Sequence, residues 1–474
     1  MAPRVAKKRK LNETAALDET AALDQTTQSQ SQASQNGKRG RRSLAQPRAK
    51  FLLQFEEVHP PQVECGRVLT CGTGDQLGHP GRETTRKPRA VDTFDEGLKF
   101  VQASAGGVHT LLLTADGRLF SCGANEKGAV PVIDLELEDT TDRFTEIQLS
   151  DEIKRCGKVV EIAAGASFGA ALTEERHGDR DSSGDLAVHP LFVKMQKEPT
   201  IIHVPELYHI VKIAAGENHL VMLSNKGQIF TFGEGSWAAR RTRALIRSSY
   251  MADTTGKKLL VYVEKQKAVK FNAIFAGGYW TIGRAEDGRL FACGLNNYGQ
   301  LGLPVPDSEM DGEEAETEYR VSHFTHVPAF DMNCKWTHIA GVQHLALRNE
   351  AGELYTLGKN TDNVLGLGTW TGRDDTQNWR YTTPQRVNFP EGVKIAGVHA
   401  SLGCTIAWTE DGDGYAFGFD SAGQLGLGIA DDDDPDEKVV ATPRKIQSAH
   451  LNDFAIRSVS VADQHAIFLA TPRD

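Results

Sequence analysis

The side chains best suited to chemistry in this sequence are imidazoles and thiols, and their spacing decides what they can do. His109, His219, His344 and His465 stand at one point of a recurring unit. A single imidazole near neutral pH serves as a general base or a metal ligand. Four at one repeated position read instead as hairpin or core residues, because a catalytic site needs its groups to converge once. The seven cysteines include no CxxC pair, and no histidines cluster with them at zinc spacing. Cys71, Cys122 and Cys293 each precede a Gly in an apolar run, which suits a small buried hydrophobe in a reducing compartment. There is no P-loop, HExxH or GxSxG. These residues predict a protein that binds rather than one that makes or breaks bonds, with no metal and no cofactor.

The elements that must position these residues are repeats. A first half reads AG-x-H before an apolar run, at 105–113 (AGGVHTLLL), 215–223 (AGENHLVML), 276–282 (AGGYWTI) and 340–347 (AGVQHLAL). Weaker copies lie at 164–172, 396–406 and 461–469. A second half, G-x-L/I-F/Y-x-x-G, recurs at 117–123, 227–233, 288–294, 352–358 and 412–418, with a sixth copy at 66–72. A damaged seventh is expected within 174–189. Asp116-Gly117, Asp287-Gly288 and Asp411-Gly412 are hairpin turns in which Gly takes positive φ. His109 to His465 makes six intervals of about 59 residues, enough for four short strands and rim loops. The copy at 66–72 has no first half before it, and 461–469 has no second half after it. Pairing them closes the ring and leaves no long edge. The expectation is all-β: a seven-bladed β-propeller over 51–474, closed by its N- and C-terminal repeat halves.

Charge is sorted along the chain. Residues 1–50 hold eleven Lys/Arg and four Asp/Glu, which leaves −17 on the remainder of a chain whose net charge is −10. The 1–50 segment lacks aromatics and is predicted to be a disordered basic tail. Its clusters, Lys7, Lys8, Arg9, Lys10 and Lys38, Arg39, Arg41, Arg42, suit an import receptor and contact with DNA. A merely solubilising tail is the plainer reading. The acidic runs 307–318 and 431–437 read as solvated loops. No apolar run approaches the ~18–20 residues of a membrane span, so no membrane partner is expected.

Over residues 65–474 the chain resembles the regulator of chromosome condensation family. Residues 66–75 (GRVLTCGTGD), 105–110 with 125–129 (NEKGA), 216–223 and 294–301 (GLNNYGQL) echo it in order, and the basic tail sits where that family has its own. The resemblance implies a monomeric, nuclear, chromatin-associated guanine-nucleotide exchange factor for the small GTPase Ran. Such a protein needs no covalent step. It binds the nucleotide-free GTPase more tightly than the loaded one, which lowers nucleotide affinity reciprocally.

The resemblance also implies roles for residues. One propeller face docks the GTPase through Asp75, Asn218 and Asn297, with the neighbouring acid moved to Glu217. A second family acid falls on Ala166, Phe168 replaces the repeat His, and a functional His aligns with Gln343 or His344. A protruding β-wedge matches Arg180, Asp181, Ser182, Ser183 and Gly184; alternatively 184–189 is a blade strand and there is no wedge. Arg240, Arg241, Arg243 and Arg247 match a loop that reaches the acidic patch of histones H2A–H2B on the nucleosome. The plainer alternatives are turn capping for Asp75 and Asn297 and a solvated loop for the arginines. For the whole chain the rival is a chromatin or ubiquitin-system scaffold without exchange activity. An ultraviolet-sensing propeller relies on clustered Trp, and the six here share no repeat position.

Overall fold

Each repeat folds as antiparallel hairpins, and the glycine ending its second half fixes how closely they approach. In the computed structural model Gly123 has φ +109°, and a Cβ there would lie 2.4 Å from the Val108 carbonyl oxygen. Only glycine meets both conditions. Strand register places this glycine opposite the repeat His: His109 faces Gly123, His219 faces Gly233, His344 faces Gly358 and His465 faces Gly72. The structure describes residues 51–174, 190–193, 199–202, 209–233, 257–258, 263–264, 267–305, 319–331, 334–429 and 438–473.

Among these residues the hairpins form seven four-stranded sheets, plus a short two-stranded ribbon, Val263–Glu264 with Lys267–Ala268. Their first strands are Phe100–Ala105, Val159–Ala164, Ile210–Ala215, Phe271–Gly277, Trp336–Ala340, Ile395–Ser401 and Phe454–Val461. Each packs against the next, and the last returns to the first. The chain is an all-β propeller. In the closing sheet the C-terminal strand His465–Pro472 pairs with Arg67–Thr73, from Arg67 opposite Ala470 to Gly72 opposite His465.

The core lies between adjacent sheets rather than within any one. Ile162, Ala171 and Leu111 meet in one such layer; Trp280, Trp336 and Leu345 meet in another. Polar stitches cross the same gaps. Gln102 exchanges two 2.8 Å hydrogen bonds with the Ile162 backbone, and Ser460 Oγ accepts from Ala105 N at 2.9 Å. Glu161, 4% exposed, pairs with Lys212 and accepts from Ile213 N at 3.0 Å, so its buried charge is compensated.

Two features depart from the sequence reading. The third strand of the second sheet is Pro190–Val193, opposite Gly169–Thr173, and not a repeat half within 174–189. The polar run EERHGDRDSSGD lacks the apolar residues a buried third strand needs, whereas PLFV supplies them, and Pro is tolerated as a strand's first residue. The second departure is a strap before the first repeat. Leu53 N donates to Asn225 O (2.8 Å), the His59 ring bonds Val211 O (2.8 Å), and Phe55 and Val58 pack on the core between the third and fourth sheets.

Candidate functional site

Strand direction alternates within each antiparallel sheet, so the turn after the first strand and the connection after the third emerge on the same face. That rule collects most of the predicted residues that lie among the described ones. Glu217 and Asn218 occupy the first turn of the third sheet, and Gln343 that of the fifth. Asp75 opens a 3-10 turn, Asp75–Leu77, after the third strand of the closing sheet. Asn297 follows the third strand, Leu290–Leu295, of the fourth sheet. All five are partly exposed.

Around the axis on this face the first turns hold one another. Gly107 N reaches Gly165 O (3.3 Å), Ala166 N donates to Glu217 O (2.8 Å), and Glu217 N donates to Gly278 O (2.9 Å). On the other side Asp463 accepts from Ser401 Oγ (2.7 Å) and Leu402 N (3.3 Å). Burial raises the Glu217 carboxyl above its ordinary range, opposed by a hydrogen bond from the Tyr279 hydroxyl and reinforced by the charge of Asp463. The same bond to Glu217 pushes Tyr279 up to about 12. Two carboxylates thus face the axis from a rigid rosette of turns. Two carboxylates held this close make the turn cluster electrostatically suited to a cationic group. Five of the seven cysteines are buried, and burial pushes their thiols up. No group of three metal-ligating side chains occurs among the described residues.

Several predicted residues fall elsewhere. His344 is 0% exposed, and its Nε2 bonds Thr405 Oγ1 of the next sheet at 2.8 Å. It cannot touch a docked protein, whereas Gln343 is partly exposed on this face and its side-chain oxygen accepts from Lys359 Nζ at 3.0 Å. Asn297 accepts from Tyr319 N at 2.7 Å, which is a turn-capping bond. Arg180, Asp181, Ser182, Ser183 and Gly184 lie outside the described residues. Their connection leaves Thr173 and returns at Pro190, at the sheet end opposite the turn that holds Ala166. Arg240, Arg241, Arg243 and Arg247, and the tail clusters from Lys7 to Arg42, also lie outside the described residues. The sequence reading missed Tyr279 and Asp463, although Tyr279 occupies the turn position equivalent to Asn218 and Asp463 that of Glu217. It also missed the Asn or Asp that organises the third-to-fourth connections of the first, fourth and sixth sheets. Asn125, Asn296 and Asp420 accept from Val130 N (2.9 Å), Leu301 N (2.8 Å) and Leu425 N (3.1 Å).

Comparison with known proteins gives this face its context. A family model described as the RCC1-like domain matches residues 67–468. The chain belongs to that family. This RCC1-like chain is 30% identical over 424 residues to the regulator of chromosome condensation of Xenopus laevis, covering 86% of this chain and 90% of that protein. It is 23% identical over 454 residues to the guanine nucleotide exchange factor SRM1 of Saccharomyces cerevisiae, covering 87% and 88%. Among solved structures, Prp20p of Saccharomyces cerevisiae matches with a TM-score of 0.73 at 21% identity, covering 90% of this chain and 96% of that one. That yeast structure, described together with binding to Gsp1p and histones, supports the propeller of this RCC1-like chain.

Proposed function

We propose that this chain is a guanine-nucleotide exchange factor for the GTPase Ran, nuclear and held on nucleosomes, acting through a closed seven-bladed ring. The observation that carries the reading is the match to the regulator of chromosome condensation over most of both chains. The gathering of Asp75, Glu217, Asn218 and Gln343 on one face supports it. The GTPase docks on that face, a basic side chain of it meeting Glu217 and Asp463. Nucleotide release follows from tighter binding of the empty GTPase. The tail clusters engage an import receptor and DNA, and Arg240, Arg241, Arg243 and Arg247 engage histones H2A–H2B.

The β-wedge takes a changed place in this reading. It was expected at Arg180–Gly184, but both anchors of that connection lie on the rim away from the docking residues. The connection of the same sheet that starts on the docking face is 194–199, between Pro190–Val193 and Thr200–Ile201. We assign the wedge there. The test is release of a fluorescent guanine nucleotide from purified Ran, with the full chain added. Acceleration that disappears in Asp75→Ala/Asn218→Ala supports exchange. A folded protein that binds nucleosomes without accelerating release supports the scaffold reading instead.

A further inference from the structure

Two large apolar side chains stand in solvent on the docking face, in one short loop that none of the predicted contact residues belongs to. Ile133 is 63% exposed and Leu137 38%. Single exposed leucines are ordinary, but the other apolar residues of this loop turn inward. Val130 and Val132 are buried, and Leu135 packs against the core between the first and second sheets. The loop runs between the third and fourth strands of the first sheet, Leu119–Ala124 and Thr140–Glu146, and so shares its face with Asp75. The Asp75–Leu77 turn packs directly on both of those strands, and Gly81 N donates to Asp142 Oδ2 at 2.8 Å.

The loop is built rather than slack. Asn125, 2% exposed, ties its two ends together. Its side-chain amide donates to Glu136 O (2.9 Å), its backbone N–H donates to Asp139 O (2.8 Å), and its backbone oxygen accepts from Glu138 N (3.2 Å). Asp134 and Glu138 take φ +63° and +69°. That left-handed conformation costs Glu138, which is neither Gly, Asn nor Asp, about 1 kcal/mol or more, so the surrounding bonds hold the shape there against a local preference. The exposed Ile133 and Leu137 are interleaved with exposed Asp134, Glu136, Glu138 and Asp139. A preformed apolar tip within an acidic surround matches a partner surface with an apolar hollow edged by Lys or Arg. Acidic groups at such an edge act chiefly on association rate and specificity.

We propose that residues 130–139 are a second docking arm for the GTPase, with Ile133 and Leu137 as its apolar contact. This rests on the exchange reading above. Its occupant is the GTPase because the arm adjoins the Asp75 turn on the same face. The experiment measures nucleotide release from Ran against concentration of the full chain, for wild type and Ile133→Ser/Leu137→Ser. The expected result is a half-saturating concentration raised about tenfold, equivalent to ~1.4 kcal/mol, with the maximal rate and the unfolding midpoint unchanged. Asp134→Asn/Glu138→Asn, both tolerated at positive φ, lowers the association rate and flattens its salt dependence. Wild-type acceleration with unchanged half-saturation in the serine variant overturns the arm and leaves exchange intact. Weakened nucleosome binding with unchanged GTPase binding overturns it too, by giving the loop another partner. No binding or acceleration by wild type overturns both.

Discussion

His109, His219, His344 and His465 are where chemistry would first be sought, and burial settles their role. Three of them link neighbouring sheets: His219 to Thr281 (3.0 Å), His344 to Thr405 (2.8 Å) and His465 to Thr110 (2.8 Å). Burial lowers their pKa to about 4, and to about 3 for His465, from an ordinary 6.5. The fold therefore requires neutral imidazole, while the unfolded chain takes up protons first as pH falls. Stability is full above about pH 6.5 and is lost progressively as pH drops through about 4. Urea midpoints measured from pH 7.5 to 4 should fall most steeply across that window; a flat profile would contradict the buried neutral state. Thr405→Val leaves His344 Nε2 without its partner and should cost about 1–3 kcal/mol in chemical denaturation. That a repeated His is structural was legible from the repeat itself. The burial of His344, as against the exposure of Gln343, was not, because one gap in the pattern leaves both residues open. Tyr279 was hidden for another reason: its value lies in a hydrogen bond to Glu217, more than sixty positions away in the chain.

At the scale of the element, strand direction sorts residues that sequence order leaves mixed. Hairpin glycines and apolar runs made six of the seven third strands readable. The second sheet was misread because its third strand follows a long polar insertion in place of an Asp-Gly turn. With the strand at Pro190–Val193, the two anchors of the 174–189 connection, Thr173 and Pro190, lie at the sheet end away from Asp75, Asn218 and Gln343. Replacing residues 180–184 with a Gly linker should therefore leave nucleotide release largely intact. The same replacement at 194–198 should remove most of it, as read in single-turnover release. The opposite pattern would return the wedge to Arg180–Gly184. The strap at 51–59 carries no repeat signal, and its docking depends on the groove between the third and fourth sheets, which only the folded ring creates.

The whole molecule depends on closure, because each sheet buries its apolar faces only against its neighbours. Removing residues 462–474 takes away His465–Pro472 and with it the partner of Arg67–Thr73. That truncation should abolish cooperative thermal unfolding, which calorimetry would register as a lost transition; a sharp transition near the full-length temperature would contradict a ring closed by its ends. Closure was legible from the unmatched halves at 66–72 and 461–469. The placement of Asp75, Asn218 and Gln343 at one end of their sheets was not, since it emerges from strand direction summed over all the sheets. On the proposed function, this face docks a GTPase and releases its nucleotide. The most direct measurement is the loss of fluorescent guanine nucleotide from Ran with the full chain and with Asp75→Ala/Asn218→Ala. Strong acceleration is expected from the former and little from the latter, with both folded. Unaccelerated release in the presence of the folded wild-type chain would contradict it.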